Sequence, residues 1–205
     1  MLYRRSVSVL QLVVSALVLS TPLSAQSAHR WSLQASGLYV GVIGDAYEGL
    51  SNGAGFEAQV RYNPSAFSLG LGYQSSIHDL NVQGFKTVNL SGGFVEPRYV
   101  MDIGSDRAAP YFSARLAYLT QEADIVEQGD TFTLTANGTQ INGGGGVLVR
   151  LTPRVNLDLG LTFGAINFED VVVSNSSGQS VTVTGSSGSG QNLVLRLGVS
   201  IGLGK

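Results

Sequence analysis

From Val155 the chain reads Val-Asn-Leu-Asp-Leu-Gly-Leu-Thr-Phe-Gly. Val155, Leu157, Leu159, Leu161 and Phe163 fall on one face of an extended chain. Asn156, Asp158, Gly160, Thr162 and Gly164 fall on the other. A period of two is that of a strand with two chemically different faces. The pattern recurs and predicts eight strands, at 31–42, 54–62, 67–74, 87–100, 111–119, 142–151, 155–164 and 192–203. In the second, Phe56, Ala58, Val60 and Tyr62 alternate with Glu57, Gln59 and Arg61. In the last, every second residue from Leu193 to Leu203 is aliphatic. The phase of the fourth slips near Gly92-Gly93, which predicts a bulge. Pro97 sits in the same strand without an N–H to give its neighbour.

The connections divide by length. Asn63-Pro64-Ser65 and Thr152-Pro153-Arg154 are tight turns, and the link after the fourth strand is 101–109. Links after the first, third, fifth and seventh strands are mostly longer. Two of these predict hairpins that extend the sheet. Thr131–Thr135 precedes Asn137-Gly138, a strong turn signal, and two valine-rich runs flank the polar stretch Ser174–Gln179. An even number of strands with alternating short and long connections is the plan of a transmembrane barrel, whose closure leaves no edge exposed to lipid. Outward aromatics fall into two rings. Trp31, Tyr62, Phe67, Tyr99 and Phe112 stand at the short-turn end, and Tyr39, Tyr73, Tyr118 and Phe163 at the loop end. Such girdles mark the two membrane interfaces.

The N-terminus supports export. Arg4 and Arg5 precede an apolar stretch from Val7 to Leu19 and then Thr21-Pro22-Leu23-Ser24-Ala25. This predicts a signal peptide over 1–25, cleaved after Ala25, and a barrel domain over 26–205. The competing reading is a retained anchor, for which the apolar stretch is short. Cleavage removes two arginines and no acid, so the formal charge moves from -2 to -4. That balance excludes a nucleic-acid partner, which needs basic patches. With no cysteine there is no disulfide framework, thiolate chemistry or cysteine metal site. Charged residues are only 13% of the chain, about half the share usual in soluble domains.

These features resemble the small eight-stranded outer-membrane barrels of the OmpA/OmpX type. The likeness rests on Gly92–Tyr99, Pro110–Arg115, the glycine run Gly143–Gly146 and the closing strand. It implies an all-β, closed antiparallel up-and-down eight-stranded transmembrane barrel spanning the mature chain. It also implies a place in the outer membrane of a Gram-negative-type envelope, outer-membrane lipid as partner and a monomer without cofactor. Barrels of that family usually end in an aromatic residue that resembles an assembly signal; here Leu203 stands in that part.

The charges sort by face. Inward positions hold Glu57, Glu96 and Asp158 against Arg61, Arg98, Arg115, Arg150 and Arg196. An eight-stranded barrel is just wide enough for its side chains to fill, so these charges lose water and should pair. With Glu96 opposite Ser113, Arg115 is a diagonal neighbour; with Arg150 opposite Asn156, Asp158 is one. Surplus arginines have carbonyls, Tyr111, Gln59 or water to meet. The result is a structural polar plug; the competing reading is an ion path. The outer loops are acidic, with Asp45, Glu48, Asp79, Glu122, Asp124, Glu127, Asp130, Glu169 and Asp170 against Lys86. They are either a solvated surface or a divalent-cation site, for which Glu122, Asp124, Glu127 and Asp130 are the best cluster.

Catalysis has little to work with. The only histidines are His29 and His78, and only His78, in Ser75-Ser76-Ile77-His78-Asp79, lies near serines and an acid at the loop end. It lacks the His-x-Ser order of outer-membrane lipid A deacylases. The reading is therefore a non-enzymatic barrel with a structural or surface-interaction role through four extracellular loops. A lipid-modifying barrel enzyme and a narrow channel are the alternatives.

Overall fold

The computed structural model describes residues 29–44, 47–80, 87–127, 130–175 and 177–204. The expected signal segment and its cleavage point lie outside the described residues, as do Asp45, Lys86 and Lys205. Seven successive strands follow the sequence pattern: β1 (Trp31–Ile43), β2 (Gly53–Tyr62), β3 (Phe67–Asp79), β4 (Thr87–Val100), β5 (Ala108–Glu127), β6 (Asp130–Arg150) and β7 (Val155–Phe168). A short hairpin, β8 (Val171–Asn175) and β9 (Ser180–Val183), precedes the closing strand β10 (Gly188–Leu203).

Each of the first seven strands pairs antiparallel with the next, β7 pairs with β10, and β10 returns to β1. The eight-stranded sheet is therefore closed. Trp31 faces Leu203, so the first and last strands of the wall begin and end at the short-turn end. Side chains alternate strictly across the wall. In β10, Leu193, Leu195, Leu197, Val199, Ile201 and Leu203 are exposed, while Asn192, Val194, Arg196 and Ser200 are buried. The ten residue steps from Leu193 to Leu203, at about 3.3 Å each and a tilt of about 40°, span roughly 25 Å of height. That is the height of a lipid-facing band. No charged residue lies on the outward face between the two aromatic rings. The rings are in place: Trp31 stacks obliquely on Tyr62 and Phe67 on Tyr99, each pair at 4.9 Å between centroids. Tyr39, Tyr73, Tyr118 and Phe163 are exposed at the other end.

Two local expectations are corrected. There is no bulge at Gly92-Gly93, because β4 keeps one register with both β3 and β5 along its length. The slip in the pattern is a change in lumen chemistry: Val88, Leu90 and Phe94 point inward with Glu96 and Arg98. The β4–β5 ladder skips only Glu96 and Pro97, as a residue without an N–H requires. Nor is Asn137-Gly138 a turn. Both residues lie inside β6, with Asn137 opposite Thr120 and Gly138 between Leu119 and Phe168. Tertiary pairing on both sides overrides the local preference, and the chain reverses instead between Glu127 and Asp130. The valine-rich runs do form the second expected hairpin, as β8 and β9.

The glycine run in β6 has a steric purpose. Gly146 faces Gly160 across the β6–β7 ladder. A Cβ on Gly146 would meet the Tyr111 hydroxyl at 2.5 Å and the Leu159 carbonyl. One on Gly160 would meet the same hydroxyl at 2.8 Å and the Arg196 guanidinium at 3.0 Å. The paired glycines leave the room that Tyr111 and Arg196 occupy. Gly146→Val is expected to destabilise the barrel by about 1–3 kcal/mol through overpacking. Gly93→Val, on the lipid face with its nearest neighbour at 3.8 Å, should change little. Urea titration in detergent micelles checks both, and equal midpoints would refute the assignment.

Candidate functional site

The lumen is layered. At the loop end, Leu90, Phe94, Leu119 and Ile166 form an apolar cluster. Tyr47, from the loop between β1 and β2, closes over it and meets Phe168 edge-on at 6.1 Å. Burial pushes the Tyr47 hydroxyl up to about 12, so the lid residue stays neutral. At the short-turn end, Val100, Ala109, Tyr111 and Leu148 form a second apolar cluster. The charges occupy the space between.

Glu96 is the centre of that layer and is fully buried. Its Oε1 accepts from Arg61 at 3.1 Å and Arg98 at 2.7 Å. Its Oε2 accepts from Arg196 at 2.9 Å and from both Nε and Nη2 of Arg115, with Nε at 2.9 Å. Glu57 takes Arg115 at 2.7 Å and Arg196 at 3.3 Å. Asp158 takes Arg98 at 2.8 Å, with Arg196 at 3.8 Å, and accepts hydrogen bonds from the Tyr111 hydroxyl at 2.6 Å and the Gln34 amide at 2.7 Å. Two guanidiniums also lie over rings, Arg115 at 3.8 Å from the Phe94 centroid and Arg98 at 4.3 Å from that of Tyr111.

Seven of the eight residues assigned inward by alternation are thus in one connected cluster. Arg150, opposite Asn156, lies half-buried nearer the short-turn end. The expected hairpin geometry needs one correction. Ser113 faces Arg98, which sets Glu96 level with Arg115 and lets that arginine grip it from directly across. The surplus arginines find what the sequence offered: Arg196 donates to Tyr111 Oη at 2.9 Å, and Arg61 to Gln59 Oε1 at 2.7 Å and the Glu96 carbonyl at 3.2 Å. Alternation alone did not single out Gln34, Gln74 and Gln140. Gln74 accepts from Arg115 at 2.8 Å and reaches Gln140 at 3.5 Å, so amides tie β3 and β6 into the network. Their signal was a long amide at an inward position near an inward charge.

His78 is fully buried at the loop end of β3. Its Nε2 lies 3.0 Å from Ser76 Oγ and its Nδ1 3.1 Å from the Ser51 carbonyl. Asp79 falls on the opposite face of the strand, so no carboxylate from the motif orients the ring. The pair fastens the loop before β2 to β3, beside the Ser51–Asp79 backbone bond of 2.8 Å.

Above the loop-end aromatics the upper parts of β5 and β6 continue outward and are joined by β8 and β9. Ala123, Leu134, Val173 and Val181 form one cross-strand row of this projecting sheet. Asp124, Thr133, Ser174 and Ser180 form a row on its other face. Asp124 accepts from Thr133 Oγ1 at 2.7 Å. Glu122 and Asp124 are exposed, the side chains of their expected companions Glu127 and Asp130 lie outside what the structure describes, and no cluster of three metal-ligating residues occurs among the described residues.

Removing the Glu96 charge leaves four buried guanidiniums each short of a partner. Glu96→Gln should therefore cost about 3–5 kcal/mol, the range for breaking a buried pair. Urea titration in micelles measures it, and a cost below about 1 kcal/mol would mean that the cluster holds little together.

No protein-family model matches the chain, and no curated protein matches it in sequence. Solved structures do resemble it. Neisserial surface protein A is 18% identical, with a TM-score of 0.54, over 84% of this chain and 97% of that one. A major outer membrane protein from Thermus thermophilus is 16% identical, with a TM-score of 0.56, over 85% and 98%. The outer membrane protein OprG from Pseudomonas aeruginosa is 11% identical, with a TM-score of 0.58, over 87% and 98%. At such identities the likeness is one of fold: the chain has the closed eight-stranded architecture of small outer-membrane β-barrels.

Proposed function

We propose that the protein is an integral barrel of the bacterial outer membrane that holds a recognition surface above the lipid. In this reading the lumen is plugged by side chains and the role is one of binding, not catalysis. The observation that carries this reading is the inversion of the barrel wall. Arginines and carboxylates are packed inside, and an uncharged band of aliphatic side chains about 25 Å tall, rimmed by aromatics, faces outward. A soluble ligand-binding barrel needs the reverse. The charge layer and the apolar clusters above and below it fill the lumen with side chains, which favours a plug over a pore.

Interaction belongs to the projecting sheet. Its apolar face is partly exposed, Val181 at 68% and Val183 at 47%, and among the described residues β9 ends the sheet without a further strand beside it. An uncharged edge of this kind can accept an extended segment of another protein by main-chain pairing. Signal-directed export delivers the chain to the periplasm, from which the barrel inserts as a monomer.

Leu159 is outward, 45% exposed, and midway between the rims. Leu159→Arg should destabilise the barrel in lipid by about 2–4 kcal/mol, the midplane cost of arginine. A near-zero cost in vesicles would place that face away from lipid. A heat-modifiable gel shift in the outer-membrane fraction is the expected cellular signature. Planar-bilayer recordings should stay flat, and a steady conductance would overturn the plugged reading. Crosslinking on intact cells should capture partners at 171–183, and deletion of that hairpin should abolish capture.

A further inference from the structure

We propose that the lumen binds one halide-sized anion, chloride in the cell, in a cavity at the short-turn end between Arg61 and Arg98. Three independent observations converge there. The first is charge. Among the described residues the buried lumen holds four arginines (Arg61, Arg98, Arg115 and Arg196) and three carboxylates (Glu57, Glu96 and Asp158). One positive charge is left over in a region where an uncompensated charge is costly.

The second is a donor without a partner. Arg98 is 2% exposed. Its Nε donates to Glu96 at 2.7 Å and its Nη1 pairs with Asp158 at 2.8 Å. Its Nη2 is buried and has no hydrogen-bond partner. Arg98 lines a cavity of about 20 Å³, together with Arg61, Ser32, Ser68, Asn63 and Ser200. This is enough for one water or one monatomic ion and too small for phosphate or a carboxylate ligand. Arg98 Nη2, the serine hydroxyls and the Asn63 amide are donors a halide can use, while the Nη groups of Arg61, taken by Gln59, Ser68 and Glu96, contribute charge alone.

The third is the approach. The mouth at this end carries the exposed Arg30, Arg107 and Arg154 and the half-buried Arg150, against Asp102 and Asp106. A basic rim over a low-dielectric opening concentrates anions. Gln34 also lines the cavity, and its Oε1 lacks a partner. A water would satisfy that oxygen and Arg98 Nη2 alike, but it would leave the surplus charge in place. The net charge selects the anion.

The test uses the full barrel folded in detergent micelles. Urea unfolding is followed while chloride replaces gluconate at constant ionic strength. Above saturation the unfolding constant should fall about tenfold per tenfold rise in chloride, as for one ion held only by the folded state. Coincident curves in the two salts would overturn the proposal. Ser200→Val, which fills the cavity and keeps every arginine and carboxylate of the network, should abolish the dependence; persistence of the slope would also overturn it. Diffraction from crystals grown in bromide gives a reading that needs no variant. An anomalous peak against Arg98 Nη2 supports the site, and density for water alone refutes it.

Discussion

Four guanidiniums from four strands converge on the carboxylate of Glu96, and the rest of the barrel is arranged around that contact. Arg61 comes from β2, Arg98 from β4, Arg115 from β5 and Arg196 from β10. Asp158 on β7 and Gln34 on β1 join through Arg98 and each other, and Gln74 and Gln140 bring in β3 and β6. All eight strands of the wall therefore meet in one layer. Such a cluster is weak evidence for stability as such, since desolvation opposes attraction. Its effect here is on specificity. A one-residue slip in any strand would turn its charge or amide out to lipid and its aliphatic residues into the polar layer.

The same layer explains features that look unrelated along the chain. Gly146 and Gly160 are small because Tyr111 and Arg196 fill the space above them. Phe94 interrupts the polar face of β4 where the Arg115 guanidinium sits over its ring. The apolar cluster at the loop end then covers the charges on that side, and the one at the short-turn end narrows the other side to the small cavity beside Arg61 and Arg98. What remains free to vary is outside the lipid, where β5 and β6 outgrow the membrane and β8 and β9 widen the sheet.

The period of two placed every strand of the wall and put seven charged residues on the right side of it, because side-chain direction in a strand depends only on parity. It went astray where polarity stopped reporting direction. At Val88, Leu90 and Phe94 the inward face is apolar, so the pattern resembled a slip. At Asn137-Gly138 the local turn preference yields to the ladders, which pair both residues with β5 and Gly138 with β7 as well.

By itself the sequence determined the strands, the two faces of each and the class of solvent each face meets, since these follow from nearest-neighbour alternation and composition. Only the tertiary structure decided which charges touch. Arg196 and Glu96 belong to strands on different sides of the barrel, and so do Arg98 and Asp158. Their meeting depends on closure and on the stagger of the wall, which set the width of the lumen and the height of each residue within it. No hairpin rule reaches across that space, because pairing along a ladder relates only adjacent strands.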